Sequence, residues 1–352
     1  MSKATFISVG GVVRKVKNVW VKQGEVLEQK VIPKGLIDGV IKEFISYNTP
    51  IMVIVTSTSI ESLNLNGTTI KTISESSAIG TRYIALNDKS ESLLVYGENV
   101  GGIPYTKLKK FDKDLNRIVD FNFKSYSSPR SINLTSDGGF LLVDLKTDAN
   151  RYICTKYSSS FLKQKDLLTG MTNLMQCLEH NQEYYLVGGD NDWMRLKKFN
   201  ADLNQIGNVS VAQSVYPIDF AANDDYLYIL TSSKLYKYNF DLSKVAEINI
   251  SNAQRLSVDS LGNIIVALEN RNLVKFDSNL NRSSLVSGTE EYIRIVEVDY
   301  KNGIYFSEDR TNYATKIKKV GSFTLTRGVS NEHPIFAVYP GEYSVFKKYW
   351  EA

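Results

Sequence analysis

A short phrase returns along this chain at nearly even intervals: FDKDLN at 111 to 116, YSSSFL at 157 to 162, FNADLN at 199 to 204, YNFDLS at 238 to 243 and FDSNLN at 276 to 281. Its starts are separated by 46, 42, 39 and 38 residues. In each copy an aromatic enters, polar turn formers follow and a leucine or phenylalanine closes. A two-stranded hairpin with a four- or five-residue loop needs that order of residues. A period of about forty residues built from short strands implies radial stacking of small sheets, the β-propeller arrangement.

Inside each unit the pattern predicts an inner strand, a very apolar second strand, an amphipathic third and an exposed fourth. The second strand reads IMVIVT (51 to 56), SLLVYG (92 to 97), GFLLVD (139 to 144), EYYLVG (183 to 188), DYLYIL (225 to 230), NIIVAL (263 to 268) and GIYFSE (303 to 308). Seven copies at a mean spacing of 42 residues predict seven blades, with eight as the competing count. A strand this apolar must be covered on both faces, as when successive blades pack face to face. The third strand, as in YTKLKKF (105 to 111), WMRLKKF (193 to 199) and KLYKYNF (234 to 240), sets Lys and Arg between apolar residues, so one side packs and the other is wet. The fourth, such as RIVDFNF (117 to 123), is polar enough for a rim.

The fold expected is therefore all-β, and the 21 Tyr and 15 Phe suit strands. Residues 47–342 form the propeller, and the segment at 335 to 339 is placed to supply the inner strand of the first blade, whose other strands lie near 51 to 73. The last ten residues, 343–352, hold Tyr343, Phe346, Tyr349 and Trp350 and read as a docked aromatic tail or a closing strand.

Residues 1–46 stand outside the repeat. They alternate apolar and polar, with Gly10-Gly11 and Gly24 at hairpin-turn positions, and are too short for a core of their own. A small hairpin structure or an attachment arm is expected there. This segment has eight Lys and Arg against four acids, so of the chain's 42 basic and 38 acidic side chains 34 of each remain for the body, which is formally neutral. Neutrality gives no reason to expect nucleic acid as a partner. There is no run of 18 apolar residues, so no membrane insertion is expected, and the start lacks a small-residue cleavage site, so no signal peptide is expected.

The N-terminal run ISVGGVVRKVKNVWVKQGEVLEQ resembles an element of tail proteins of phages and phage-tail-like bacteriocins of low-GC Gram-positive bacteria, in which a phrase of the type V-x-G-V-x-R-x-V-K-x-x-Y-V-K is often repeated. Val9, Gly10, Gly11, Val12, Arg14, Val16, Lys17, Val19, Trp20, Val21 and Lys22 carry the likeness. Trp20 stands where tyrosine or isoleucine is common. SVDSLGNIIVAL (257 to 268) is similar to the repeat phrase of NHL-type propellers, and LTSDGGFLLV (134 to 143) to the DGG turn of other bacterial propellers.

The resemblance implies a virion structural protein of a tail or baseplate. Residues 1–46 would join it to other tail proteins, with Val9, Val12, Arg14, Val16, Lys17, Val19, Trp20, Val21 and Trp350 as the expected assembly contacts, in several copies per particle. The ring would act as an interaction module, for a host-surface glycan or protein or as a brace. The alternatives are a cell-envelope carbohydrate-active enzyme and an intracellular scaffold.

Chemistry has few footholds. Two histidines, His180 and His333, and two cysteines, Cys154 and Cys177, match no zinc spacing. The two cysteines fall on neighbouring units and read as buried free thiols. Asp112 with Asp114 and Asp224 with Asp225 read as turn residues; GGDND (188 to 192) is the nearest calcium-like loop. No nucleophile elbow or phosphate loop is present, and GENVGGIP (97 to 104) reads as a long hairpin loop. No enzymatic activity, metal or cofactor is expected.

Overall fold

The computed structural model describes residues 5–9, 12–16, 21–22, 25–26, 34–37, 40–43, 52–56, 59–64, 66–75, 82–86, 91–100, 103–124, 129–146, 151–168, 171–190, 192–259, 261–286, 289, 292–298, 303–309, 315–322, 324–327 and 335–338. Among the described residues every element is a strand, a turn or a bend, and the strands form seven four-stranded antiparallel sheets. Blade I joins Ile335–Val338 to Met52–Val55, Ser59–Leu63 and Thr69–Ser74. Blade II is Arg82–Leu86, Ser92–Val100, Ile103–Phe111 and Arg117–Lys124. Blade III is Pro129–Leu134, Phe140–Lys146, Arg151–Tyr157 and Lys163–Leu168. Blade IV is Asn173–His180, Glu183–Asp190, Trp193–Phe199 and Gln205–Gln213. Blade V is Asp219–Ala222, Leu227–Leu230, Lys234–Tyr238 and Lys244–Asn249. Blade VI is Ala253–Val258, Ile264–Leu268, Leu273–Phe276 and Arg282–Val286. Blade VII is Tyr292–Val298, Ile304–Asp309, Thr315–Lys319 and Thr324–Arg327.

Innermost strands touch their neighbours all the way round, blade VII against I and I against II, so the ring is closed. The expected inner strand near 335 does pair with blade I, Ile335 opposite Val55 and Val338 opposite Met52. A strand from late in the sequence thus clasps strands from early in it, which completes blade I as a four-stranded sheet.

The second strands explain the closure energetically. Successive side chains of a strand point to opposite faces, and here each face meets a different blade. Tyr184 and Leu186 enter the core shared with blade III, whereas Tyr185 and Val187 enter the core shared with blade V. Leu227 and Ile229 face blade IV, and Tyr228 and Leu230 face blade VI. Continuous apolar sequence is therefore a strand buried twice.

The recurring phrase is the loop between the third and fourth strands. In Asp112–Asn116 the first residue's N–H donates to the fifth carbonyl and the fourth residue's N–H to the first carbonyl, both at 3.0 Å, and Asp277–Asn281 repeats the pattern. The carboxylates of Asp112 and Asp277 accept further backbone N–H groups within their own loops, so Asp112 and Asp114 do lie in a turn. Its fourth residue lies in the left-handed region: Leu115 (φ 54), Phe161 (φ 63), Leu203 (φ 61), Leu242 (φ 71) and Leu280 (φ 65). A β-carbon there costs on the order of 1–2 kcal/mol. The four leucines are buried among residues of the preceding blade, Leu242 with Tyr185, Val187 and Leu196, and burying a leucine is worth roughly 1.5–3 kcal/mol. Packing outweighs backbone preference, and the loop becomes a plug between blades.

The third strand carries a lysine just before its last residue in five blades, Lys110, Lys156, Lys198, Lys237 and Lys275, and ends on Lys319 in blade VII. Lys110 pairs with Glu91 at 2.8 Å, Lys156 with Asp137 at 2.9 Å and Lys198 with Glu183 at 2.7 Å. Lys237 sits 3.6 Å above the Tyr226 ring and Lys319 4.9 Å above Tyr305. Lys110, Lys156 and Lys198 are neutralised within the ring and Lys237 and Lys319 are stacked on it, consistent with the neutral composition of the body.

Three expectations need correction or limits. GENVGGIP is not a long loop: Gly97–Val100 and Ile103–Pro104 belong to the paired strands Ser92–Val100 and Ile103–Phe111, with Val100 opposite Ile103. GGDND is not a compact loop either, because Gly188, Gly189 and Asp190 lie in the strand Glu183–Asp190. Among the described residues of 1–46 three antiparallel strand pairs occur, the hairpin alternative of the expectation: Thr5–Val9 with Val12–Val16, Val21–Lys22 with Glu25–Val26, and Lys34–Ile37 with Val40–Glu43. Residues 343–352 lie outside the described residues.

Leu242→Ala keeps the left-handed backbone and loses the plug, so it should cost about 2–4 kcal/mol in urea unfolding. Leu242→Gly removes more side chain but relieves the backbone, and should be no worse than the alanine variant. A glycine variant less stable than the alanine variant by ~1 kcal/mol would contradict this account of the loop.

Candidate functional site

Two features stand apart from generic blade packing: a set of polar side chains on the innermost strands, and the aromatics exposed on one face. An innermost strand has one edge without a partner in its own sheet, so its N–H and C=O groups need other partners. Side chains from the preceding blade supply them. Asn133 of blade III donates its amide to the Cys177 carbonyl of blade IV. Gln176 of blade IV accepts the Phe220 N–H of blade V at 2.9 Å. Asp219 of blade V accepts the Leu256 N–H of blade VI at 2.8 Å through Oδ2, while Oδ1 accepts the Phe220 N–H at 2.9 Å. At the hairpin end, Glu179 of blade IV accepts the Ser136 N–H of blade III at 3.0 Å and the Ser136 hydroxyl as well. These bonds form a clasp running from blade III through blade VI.

The clasp includes a charged group. Burial pushes the Asp219 carboxyl up to about 6, against the pull of Arg255 and of its two backbone N–H donors. Burial, and then the Asp219 charge, push Glu297 on blade VII up to about 8. Two carboxyls and an exposed guanidinium thus occupy the innermost strands of three successive blades. Elevated carboxyl values of this kind mark candidate acid and base groups, but both Asp219 oxygens already hold backbone.

The other feature follows from topology. In an antiparallel blade, the hairpins after the first and third strands lie at one end. Those after the second strand lie at the other end, with the links between blades. Three of the four exposed aromatics among the described residues fall on this second face: Trp193 (38% exposed), Tyr216 (54%) and Tyr292 (46%). The fourth, Phe121, lies on the outer strand of blade II. The Ser214 N–H donates to the Asp192 carbonyl at 2.6 Å, which pins the Tyr216 link to the Trp193 turn. Further round, the Thr289 N–H and hydroxyl both donate to the Arg271 carbonyl, at 2.9 and 2.8 Å, and the Arg271 guanidinium lies 5.3 Å from the centre of the Tyr292 ring. Flat rings on pinned loops are pre-organised contact groups, with little entropy left to lose on binding.

The expected assembly residues divide between described and undescribed parts of the chain. Val9, Val12, Arg14, Val16 and Val21 lie on hairpin strands, Val9 opposite Val12 and Arg14 opposite Ile7. Lys17, Val19, Trp20 and Trp350 lie outside the described residues. His180 is buried and stacked on Phe240 with ring centroids 3.6 Å apart, its Nε2 2.9 Å from the Asn181 amide; His333 lies outside the described residues. No three His, Cys, Asp or Glu side chains gather as a metal site among the described residues. Trp193, Tyr216, Asp219 and Glu297 were not singled out from sequence. Polar residues interrupting the short inner strands, as in MQCL, IDFA and IVEV, are the trace they leave.

No family model and no curated protein matches the sequence. Solved structures do match in shape. A protein provisionally assigned as a 6-phosphogluconolactonase of Bacteroides uniformis aligns over 82% of this chain and 99% of its own, with TM-score 0.61 and 11% identity. A catalytically inactive virginiamycin B lyase of Staphylococcus aureus aligns over 75% and 94%, with TM-score 0.56 and 10% identity. The β-propeller domain of the Trilobed protease of Pyrococcus furiosus aligns over 72% and 84%, with TM-score 0.52 and 8% identity. At such identities the likeness is one of fold, and it agrees with the blade order: the chain carries a seven-bladed β-propeller.

A carboxyl raised on folding binds its proton more tightly in the folded state, so stability is full below the unfolded value and falls as pH rises through the folded one. For Glu297 that window runs from the ordinary 4.5 to about 8. The melting temperature should decline across it, and Glu297→Gln should flatten the decline while matching the parent near the acid end. A pH profile unchanged by that substitution would show that Glu297 is not desolvated in the folded ring.

Proposed function

We propose that this chain is a non-enzymatic virion protein of a phage or phage-tail-like bacteriocin tail. Residues 1–46 attach it to other tail or baseplate proteins, and the propeller presents its link face to a host-surface glycan or protein. The pinned pair Trp193 and Tyr216 carries the binding half of this proposal, because exposed aromatics on rigid loops are what sugar rings and protein hot spots stack on. The assembly half rests on the likeness of residues 9–22 to tail-protein elements and on the basic surplus of residues 1–46. Since Val12–Val16 is already paired with Thr5–Val9 on one side, strand addition to a partner sheet would use the hairpin's other edge.

A catalytic reading has one observation in its favour, the raised Asp219 and Glu297 carboxyls on neighbouring inner strands. Turnover of purified host wall or surface polysaccharide, abolished by Glu297→Gln, would establish it in place of the binding role.

Purified full-length protein should bind intact host cells saturably and compete with adsorption of whole particles. Trp193→Ala combined with Tyr216→Ala should weaken that binding at least about tenfold, on the scale of one aromatic hot spot, with the melting temperature unchanged. Undiminished binding by the double variant would move the ligand off this face, and no binding by the folded parent would favour a bracing role. In particle assembly, deletion of residues 1–46 should abolish incorporation; normal incorporation would remove the attachment role.

A further inference from the structure

The outermost strand of each blade is the last in its sheet, so one row of its N–H and C=O groups points away from the blade. Natural proteins commonly guard such an edge with charge or proline. Six of the seven outermost strands carry at least one charged residue, among them Lys71, Asp120, Lys165, Glu247, Arg282 and Arg327. The seventh, Gln205–Gln213 of blade IV, reads QIGNVSVAQ. It holds no charge and no proline, and at 9 residues it is the longest of the set.

This edge is held in place from both ends and from one side. Just before the strand the Asn200 N–H donates to the Asn204 carbonyl at 3.0 Å, and just after it the Ser214 N–H donates to the Asp192 carbonyl at 2.6 Å. Val209 and Val211 pack on the core shared with blade V. Gly207 lies so close to Leu242 that a β-carbon there would come within 2.7 Å of Leu242 Cδ1. Ile206, Asn208 and Ser210 are exposed. Bulges at Ile206 and Val211 leave Gly207–Ser210 in one-for-one register with Lys198 to Arg195 of the third strand. A backbone so fixed has little entropy to lose when another strand pairs with it.

We propose that this edge pairs with the same edge of a second copy of the chain, joining the two blade IV sheets into one continuous antiparallel sheet across a twofold axis at Val209. Opposed residues in an antiparallel ladder share one orientation, and successive residues alternate. The axis of a symmetric pair therefore passes through a residue rather than between two. At Val209 it overlaps the whole strand, sets Val209 opposite its own copy and Asn208 opposite Ser210 twice, and brings no charge against a like charge. On the outermost strand of blade II, by contrast, an axis through Asp120 would set that carboxylate against itself. A symmetric pair duplicates every charge on an edge, whereas a strand of another protein can answer a charge with its opposite. The charge-free sequence is thus the one a second copy requires. The pairing does not depend on what the link face binds.

One strand pair makes a small, transient interface, so the test is sedimentation equilibrium of the full-length protein up to about 100 µM. It should show a reversible equilibrium between monomer and dimer. Asn208→Lys combined with Ser210→Lys sets two like-charge pairs across the axis and should weaken the dimer about tenfold, and so should Asn208→Asp combined with Ser210→Asp. Melting temperatures should stay unchanged, and mixing the two variants should restore the dimer. Ser210 also accepts a hydrogen bond from Arg195, so the same mixing with Asn208→Lys and Asn208→Asp alone covers any loss of folding. Val209→Cys should form a covalent dimer under mild oxidation while Val211→Cys does not, since Cys154 and Cys177 are free but buried. A dimer indifferent to the charge variants, or Val209→Cys that fails to cross-link, would overturn the proposal. Monomer throughout the range would overturn it too and leave the edge to a strand of another protein. Host-cell binding can be scored on the charge variants, so failure of the pairing and failure of the proposed function remain distinguishable.

Discussion

The structure depends on a strand buried on both of its faces. Each blade's second strand divides its side chains between two neighbours, as Tyr184 and Leu186 do toward blade III and Tyr185 and Val187 toward blade V. A blade alone would leave an apolar face in water; two blades cover one face and expose another. Only a closed circle covers all of them, so closure follows from the same hydrophobic burial that forms the blades. The pairing of Ile335–Val338 with Met52–Val55 is the chain's way of closing the circle.

Closure leaves the polar edges of the innermost strands to be satisfied, and here the molecule uses side chains rather than more sheet. Asn133, Gln176 and Asp219 each reach the backbone of the next blade. The raised Asp219 carboxyl and the further raised Glu297 are consequences of placing acids where water is scarce. With its oxygens on backbone N–H groups, Asp219 belongs to the architecture. The link face has the opposite character, because Trp193 and Tyr216 remain exposed while the backbone beside them is pinned.

Much of the fold was legible because burial on two faces imprints a continuous apolar run, which no exposed loop tolerates. The runs at 139 to 144 and 263 to 268 correspond closely to Phe140–Lys146 and Ile264–Leu268. Glycine misled in two places. The ladder from Ser92 to Val100 continues through Gly97 because its partner strand keeps one-for-one register, and Gly188 and Gly189 are buried inside a strand. The leucines at left-handed positions could not be anticipated from local preference, since their cost is met by residues of another blade about forty to sixty positions earlier, as Leu242 is by Tyr185.

By itself the sequence determined an all-β repeat and pointed to seven units, with eight left open, and to the segment that completes the first blade, because side-chain periodicity and burial are local and recur with every unit. It also located the basic, glycine-punctuated segment outside the repeat. Tertiary structure alone decided that Asp219 clasps Leu256, that Cys154 and Cys177 share the core between blades III and IV, and that Trp193 shares its face with Tyr216 and Tyr292. These are relations between blades. They depend on which strand end meets which neighbour once the ring has closed, and that distance through space has no signature in the order of residues along the chain.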